Sequence, residues 1–128
     1  MNAGAELVRE IVEALNRGDV DGMLERMHPD FEWRPLEGSP VARVCRGHEQ
    51  VRTYVEDWLS TFDGLRLDLD DPTEVADRVI APVNGHGRGR ASGLALETRF
   101  CQVWTIREGT ALAMQEYASR EDALDAIA

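Results

Sequence analysis

The apolar residues change period at Asp63-Gly64, and that switch constrains the fold more than any other feature of the chain. Before it, Val51, Tyr54, Val55, Trp58, Leu59 and Phe62 recur at i, i+3, i+4, i+7, i+8 and i+11. This spacing predicts one long amphipathic helix, ended by Asp63-Gly64. After it, Leu65, Leu67 and Leu69 alternate with Arg66, Asp68 and Asp70, the pattern of a strand with one wet face. Three further strands are expected near residues 78 to 89, 94 to 107 and 110 to 118. Turns are expected around Asp77, around Ala91-Ser92-Gly93 and at Glu108-Gly109, the last joining two long strands in a hairpin.

The N-terminal part reads as helices. Leu7, Val8, Ile11, Val12 and Leu15 share one face of a helix over residues 4 to 17, with Gly18 at its left-handed C-cap. Asp19 caps a second helix whose stripe is Val20, Met23, Leu24 and Met27, with His28-Pro29 as its end. Phe31 and Trp33 alternate with Glu32 and Arg34 as a short strand, and the Pro35 to Pro40 segment is a loop leading to the long helix. Ser119 and Asp122 match a capping signal, so a short helix through Ala123, Leu124 and Ile127 closes the chain. Helices followed by strands predict an α+β domain over residues 1–128, a cone-shaped, curved, mostly antiparallel sheet wrapped around the N-terminal helices. The mouth of such a cone is a natural small-molecule site.

Composition excludes several functions. The 24 acidic and 14 basic residues of this 128-residue chain give a net charge of −10, which disfavours nucleic acid and anionic membranes. The chain has no lysine, so lysine Schiff bases and a P-loop lysine are impossible. Cys45 and Cys101 lack CxxC spacing and read as buried free thiols. His28, His48 and His86 lack the spacing of a helical metal site, so neither a metal nor another cofactor is expected. No signal-peptide pattern or long apolar run is legible, and a cytoplasmic protein is expected.

The segments ALNRGDVDGMLERMHPDFEW, RGHEQV, VWTIREGT and EYASREDAL together resemble the nuclear transport factor 2-like, ketosteroid isomerase-like superfamily, and within it the SnoaL-like proteins. The resemblance covers nearly the whole chain. It implies a cone-shaped cavity and a homodimer formed through the outer face of the sheet. Members include polyketide cyclases, ketosteroid isomerases, epoxide hydrolases and proteins with no known reaction. The isomerase residues do not carry over, because Ile11, Pro35 and Cys101 stand at or near the positions of its tyrosine and two aspartates. The Arg-x-Asp pair of limonene-type epoxide hydrolases falls near Val83 to Gly85, where neither residue occurs. Only their last-strand acid has a counterpart, at Glu116-Tyr117.

The leading candidate for chemistry is Glu116, set among Ala113, Met114 and Ala118, where cover would raise its pKa. The alternative is a Glu116 paired with Arg99 or facing water. His86 and Arg88 share a strand face and could polarise a ligand oxygen; a solvated strand end among Gly85, Gly87 and Gly89 is the plain reading. Trp33, Tyr54 and Trp58 are expected to shape the cavity, with Arg99, Cys101, Gln102 and Met114 as further ligand contacts. Which face of residues 78 to 118 lines the interior is open, because one bulge reverses the alternation. Two functions follow as expectations: cofactor-free acid-base chemistry, such as cyclisation, isomerisation or hydration, on an apolar carbonyl or hydroxyl ligand, or a non-catalytic ligand-binding or protein-interaction module.

Overall fold

In the computed structural model, residues 3–36 and 43–127 are described. Two helices, α1 (Ala3–Asn16) and α2 (Val20–Glu25), lead into the strand β1 (Met27–Arg34). A two-residue strand, β2 (Cys45–Arg46), precedes α3 (Gly47–Thr61). The remainder is β3 (Phe62–Leu69), β4 (Thr73–Val75), β5 (Arg78–Gly89), β6 (Ala95–Arg107), β7 (Thr110–Tyr117) and α4 (Arg120–Ile127).

The α1–α2 corner forms as its capping residues require. Gly18 takes a φ of 74°, a left-handed conformation that glycine adopts without a Cβ clash, and its N–H donates to Leu15 O at 2.9 Å. Asp19 Oδ1 then accepts from Gly22 N at 3.0 Å and starts α2. At the other end of α1, Glu74 on β4 places Oε1 2.9 Å from Gly4 N, a carboxylate against the positive end of the helix. Glu108 and Gly109 both take positive φ, the requirement of a tight two-residue hairpin turn between β6 and β7.

The sheet order is β2-β1-β7-β6-β5-β3, with β4 paired to β5, and every pairing is antiparallel except β1 with β7. This is the mixed, mostly antiparallel curled sheet expected from the sequence. Its concave face holds Phe31, Trp33, Leu67, Val79, Ala81, Val83, Trp104 and Met114 in one core with the apolar sides of α1, α2 and α3. A second, smaller cluster lies on the convex face, where Ile80, Cys101 and Val103 are covered by Ala123 of α4.

Several boundaries differ from the sequence expectation. Met27 is not the end of the second helix but the start of β1, so His28-Pro29 sits inside a strand, where proline's missing N–H costs little at an irregular stretch of the β1–β7 pairing. Phe62 opens β3 rather than closing α3, and Asp63-Gly64 falls at a register shift in the β3–β5 ladder. The strands β2 and β4 were not anticipated, being too short to show a period. Most of the Pro35 to Pro40 loop lies outside the described residues.

Asn16, the last residue of α1, ties the helix to the sheet. Its Nδ2 donates to Leu67 O at 2.9 Å and its Oδ1 accepts from Leu67 N at 2.8 Å. One side-chain amide thus satisfies both backbone groups of a buried residue on the outermost strand. Asn16→Ala leaves both unmatched and is expected to lower stability by about 1–3 kcal/mol in urea denaturation. Asn16→Asp keeps the acceptor but loses the donor, so an unchanged denaturation midpoint in both variants would remove this role.

Candidate functional site

Ladder register decides which side chains meet inside the cone. Gln102 pairs with Ala81 and with Glu116, so these three form one lateral row on the concave face. The next row inward joins Val79, Trp104, Met114 and Trp33, and the next outward joins Leu69, Val83 and Phe100. Leu69, Phe100, Trp58 and Leu59 are only partly buried and rim the core. Glu116 therefore sits one row inside that rim. The irregularity in the β6–β7 ladder falls at Thr105/Ile106, so the alternation across residues 100–104 is intact.

Glu116 is 8% exposed, and it and Gln102 are the only buried polar or charged side chains among the described residues. Its Oε1 accepts from Leu36 N at 3.0 Å, while its Oε2 is buried without a partner. Burial pushes the Glu116 carboxyl above its ordinary range, and the Leu36 N–H offsets part of that by favouring the charged form. Trp33 Nε1 is also buried and unpartnered, leaving a free donor one row deeper on the neighbouring strand. Tyr54 meets Trp33 edge-on at 6.0 Å between ring centroids and packs against Trp58 at 5.6 Å. Its phenol is pushed up to about 12, first by burial and then by the nearby charge of Glu116. Gln102 Oε1 is occupied, accepting from Trp104 Nε1 at 2.9 Å.

The structure thus brings together Glu116, Trp33, Tyr54, Trp58, Gln102 and Met114 on the concave side. The other four sequence candidates lie elsewhere. His86, Arg88, Arg99 and Cys101 occupy the opposite phase of β5 and β6 and face the convex side, away from Glu116. Two-residue spacing places His86 with Arg88 correctly, but single-residue pleating puts both behind the wall that carries Ala81 and Gln102. His86 lies between Asp68 Oδ2 at 3.3 Å and Glu97 Oε1 at 3.7 Å, in a convex-face cleft shared with Asn84 and Arg99. Arg88 donates to Gly93 O of the adjoining turn. Cys101 is buried under α4, and burial raises its thiol pKa. The pairing of Glu116 with Arg99 is excluded by the same register.

Sequence reasoning missed two contributors. Cys45 lies opposite Trp33 through β2 and is buried in the same core as Tyr54. Leu36 contributes only its backbone N–H, which no residue pattern announces. Among the described residues, no three His, Cys, Asp or Glu side chains converge to hold a metal ion, and no helix is long and apolar enough to cross a membrane.

A cone-shaped α+β fold with an inward-facing carboxylate on its last strand defines the class, and the family follows from comparison with known proteins. Residues 8–114 match the SnoaL-like domain, and the chain belongs to that family. No curated protein matches the sequence. Among solved structures, an NTF2-like protein of unknown function from Burkholderia pseudomallei is 23% identical, with 98% of this chain and 97% of that one covered at a TM-score of 0.82. TerC, co-crystallised with polyporic acid, is 23% identical over 97% of each chain at a TM-score of 0.80. A SnoaL-like polyketide cyclase homologue from Jannaschia sp. CCS1 is 18% identical over 98% of this chain and 91% of that one, at a TM-score of 0.79. These likenesses establish the NTF2-like, ketosteroid isomerase-like fold expected from the sequence.

A raised carboxyl pKa in the folded state means that the fold binds the proton more tightly than the unfolded chain does. The stabilising effect is full below the ordinary carboxylate pKa and is lost as pH rises through the elevated one. The stability of wild type relative to Glu116→Gln is therefore expected to fall with rising pH above about 4.5. Paired urea titrations across that range check it; a difference independent of pH would mean that Glu116 is not desolvated.

Proposed function

We propose that this chain binds a small, largely apolar ligand bearing a carbonyl or hydroxyl, and that Glu116 moves a proton on it without a cofactor. The observation that carries this reading is the buried, unpartnered Oε2 of Glu116. A buried acceptor without a partner costs free energy in the empty protein, and a ligand hydroxyl or an acidic C–H placed there recovers it.

In the proposed reaction the Glu116 carboxylate takes a proton from the carbon next to a carbonyl. The Leu36 N–H holds the other carboxylate oxygen and fixes its direction. Charge then builds on the carbonyl oxygen, where a donor is needed. The Trp33 Nε1–H and the Tyr54 hydroxyl take the role that the sequence had offered to His86 and Arg88. A phenol held near 12 stays protonated and so remains a donor throughout the working range. Return of the proton from Glu116 to another atom completes an isomerisation, or a cyclisation when the enolate attacks a second carbonyl. The SnoaL-like polyketide cyclase relative supports a carbonyl-bearing ligand of this kind.

A second reading, ligand binding without turnover, is favoured by the aromatic interior. Trp33, Tyr54, Trp58 and Trp104 pack in a chain with ring centroids 5.6 to 6.4 Å apart inside the cone. Deuterium exchange next to the carbonyl of 2-tetralone, followed by NMR, separates the two. The enzyme reading expects exchange that Glu116→Gln slows by about 100-fold or more, with binding little changed. Saturable binding with no exchange in wild type would leave the binding module.

The proposal includes a homodimer through the convex face, on the part that α4 leaves open around Asn84, His86, Glu97 and Arg99. Sedimentation at micromolar concentration is expected to return twice the chain mass; a monomer mass would rule this surface out.

A further inference from the structure

We propose that the concave site selects its ligand by charge: it accepts an uncharged carbonyl compound and rejects one carrying a permanent anion such as a carboxylate, phosphate or sulfonate. This inference deepens the preceding reading and rests on the same site. Gln102 and Glu116 are the only buried polar or charged side chains among the described residues, and Gln102 Oε1 is already occupied by Trp104 Nε1. What remains for a ligand is one carboxylate oxygen, the indole N–H of Trp33, the Tyr54 hydroxyl and the Gln102 amide N–H groups, none of which carries a positive charge.

Among the described residues, no cation stands inside to neutralise an incoming anion. The groups that face Glu116 from the elements around it are Gln102 on β6, Trp33 on β1 and Tyr54 on α3, with Cys45 of β2 beside Tyr54. Arg34 and Glu32 occupy the opposite phase of β1 and pair with each other on the convex side. The guanidinium of Arg43 is exposed and favours Tyr54 ionisation only as the smallest of the influences on it. The remaining placed candidates, His86, Arg88 and Arg99, lie behind the sheet.

An anion entering the row of Glu116 and Gln102 would lose its hydration and meet a like charge, with no compensating ion pair. Two like charges in partly desolvated surroundings cannot both persist, so the complex forms only when Glu116 is protonated. A neutral ligand meets neither penalty, and a carbonyl with a neighbouring hydroxyl supplies both an acceptor for Trp33 and a donor for Glu116.

The test uses two ligands of nearly the same shape, 4-acetylbenzenesulfonamide and 4-acetylbenzenesulfonate, the second charged at every working pH. Binding is read from the intrinsic tryptophan fluorescence of Trp33, Trp58 and Trp104. At pH 8 the sulfonamide is expected to bind wild type at least about 10-fold more tightly than the sulfonate, the factor worth one pKa unit at the carboxyl. Glu116→Gln is expected to bring the two within a few-fold of each other. In wild type, lowering the pH toward 5 is expected to strengthen the sulfonate alone, which tests the idea even if the variant does not fold. A sulfonate that binds wild type as tightly as the sulfonamide at pH 8, or a ratio that stays constant with pH, overturns charge selection while leaving the ligand site standing. If neither compound nor 2-tetralone binds, the site itself falls and this inference with it.

Discussion

The parallel pairing of β1 with β7 joins the first strand of the chain to the antiparallel meander that makes up the rest of the sheet. It is the one parallel pairing among the described strands, and it links the strand that follows the first two helices to the last strand of the sheet. Such a pairing cannot be made by a hairpin, so more than 70 residues of helix and antiparallel meander must be in place around it. Through it, Trp33 lies beside Met114 and one row from Glu116. Without that registration the indole and the carboxylate would belong to unrelated parts of the molecule.

The general architecture was legible because its signals are long and periodic. The switch from helical to alternating spacing, the Gly18-Asp19 corner and the Glu108-Gly109 turn all correspond to elements with matching caps or dihedral angles. Strands β2 and β4 were not legible, since two or three residues carry no period. The site was legible in part. Glu116 stood out as a carboxylate among apolar neighbours, and the aromatic residues at helical spacing in α3 were correctly turned inward. His86 and Arg88 misled because sequence gives the relative phase of residues within a strand but not the absolute phase. Only the ladder to β6 and β7, anchored by Gln102 opposite Glu116, tells which phase is concave.

The interior also shows a division of labour among its polar groups. The Gln102–Trp104 hydrogen bond is closed within β6 and stiffens the floor of the cone. Glu116 is half satisfied, by the backbone of the segment that leaves β1. A polar network meant only to specify the fold would leave neither oxygen unmatched, because partial satisfaction is worse for stability than an apolar replacement. The Oε1 of Gln102 is matched while the Oε2 of Glu116 is not, and that asymmetry distinguishes scaffold from site in a row where both are buried.

The Asn16 clamp has a bearing on how this protein coexists with its own copies. An outermost strand normally presents a ladder of free N–H and C=O groups that another chain can extend. Here the amide and carbonyl of Leu67, in the middle of β3, are both taken by a side chain from the first helix. A foreign strand docking along that edge would have to displace Asn16 before it could form a continuous ladder. The last residue of α1 thus acts as a stopper on the sheet, keeping growth by strand addition away from one side of the molecule.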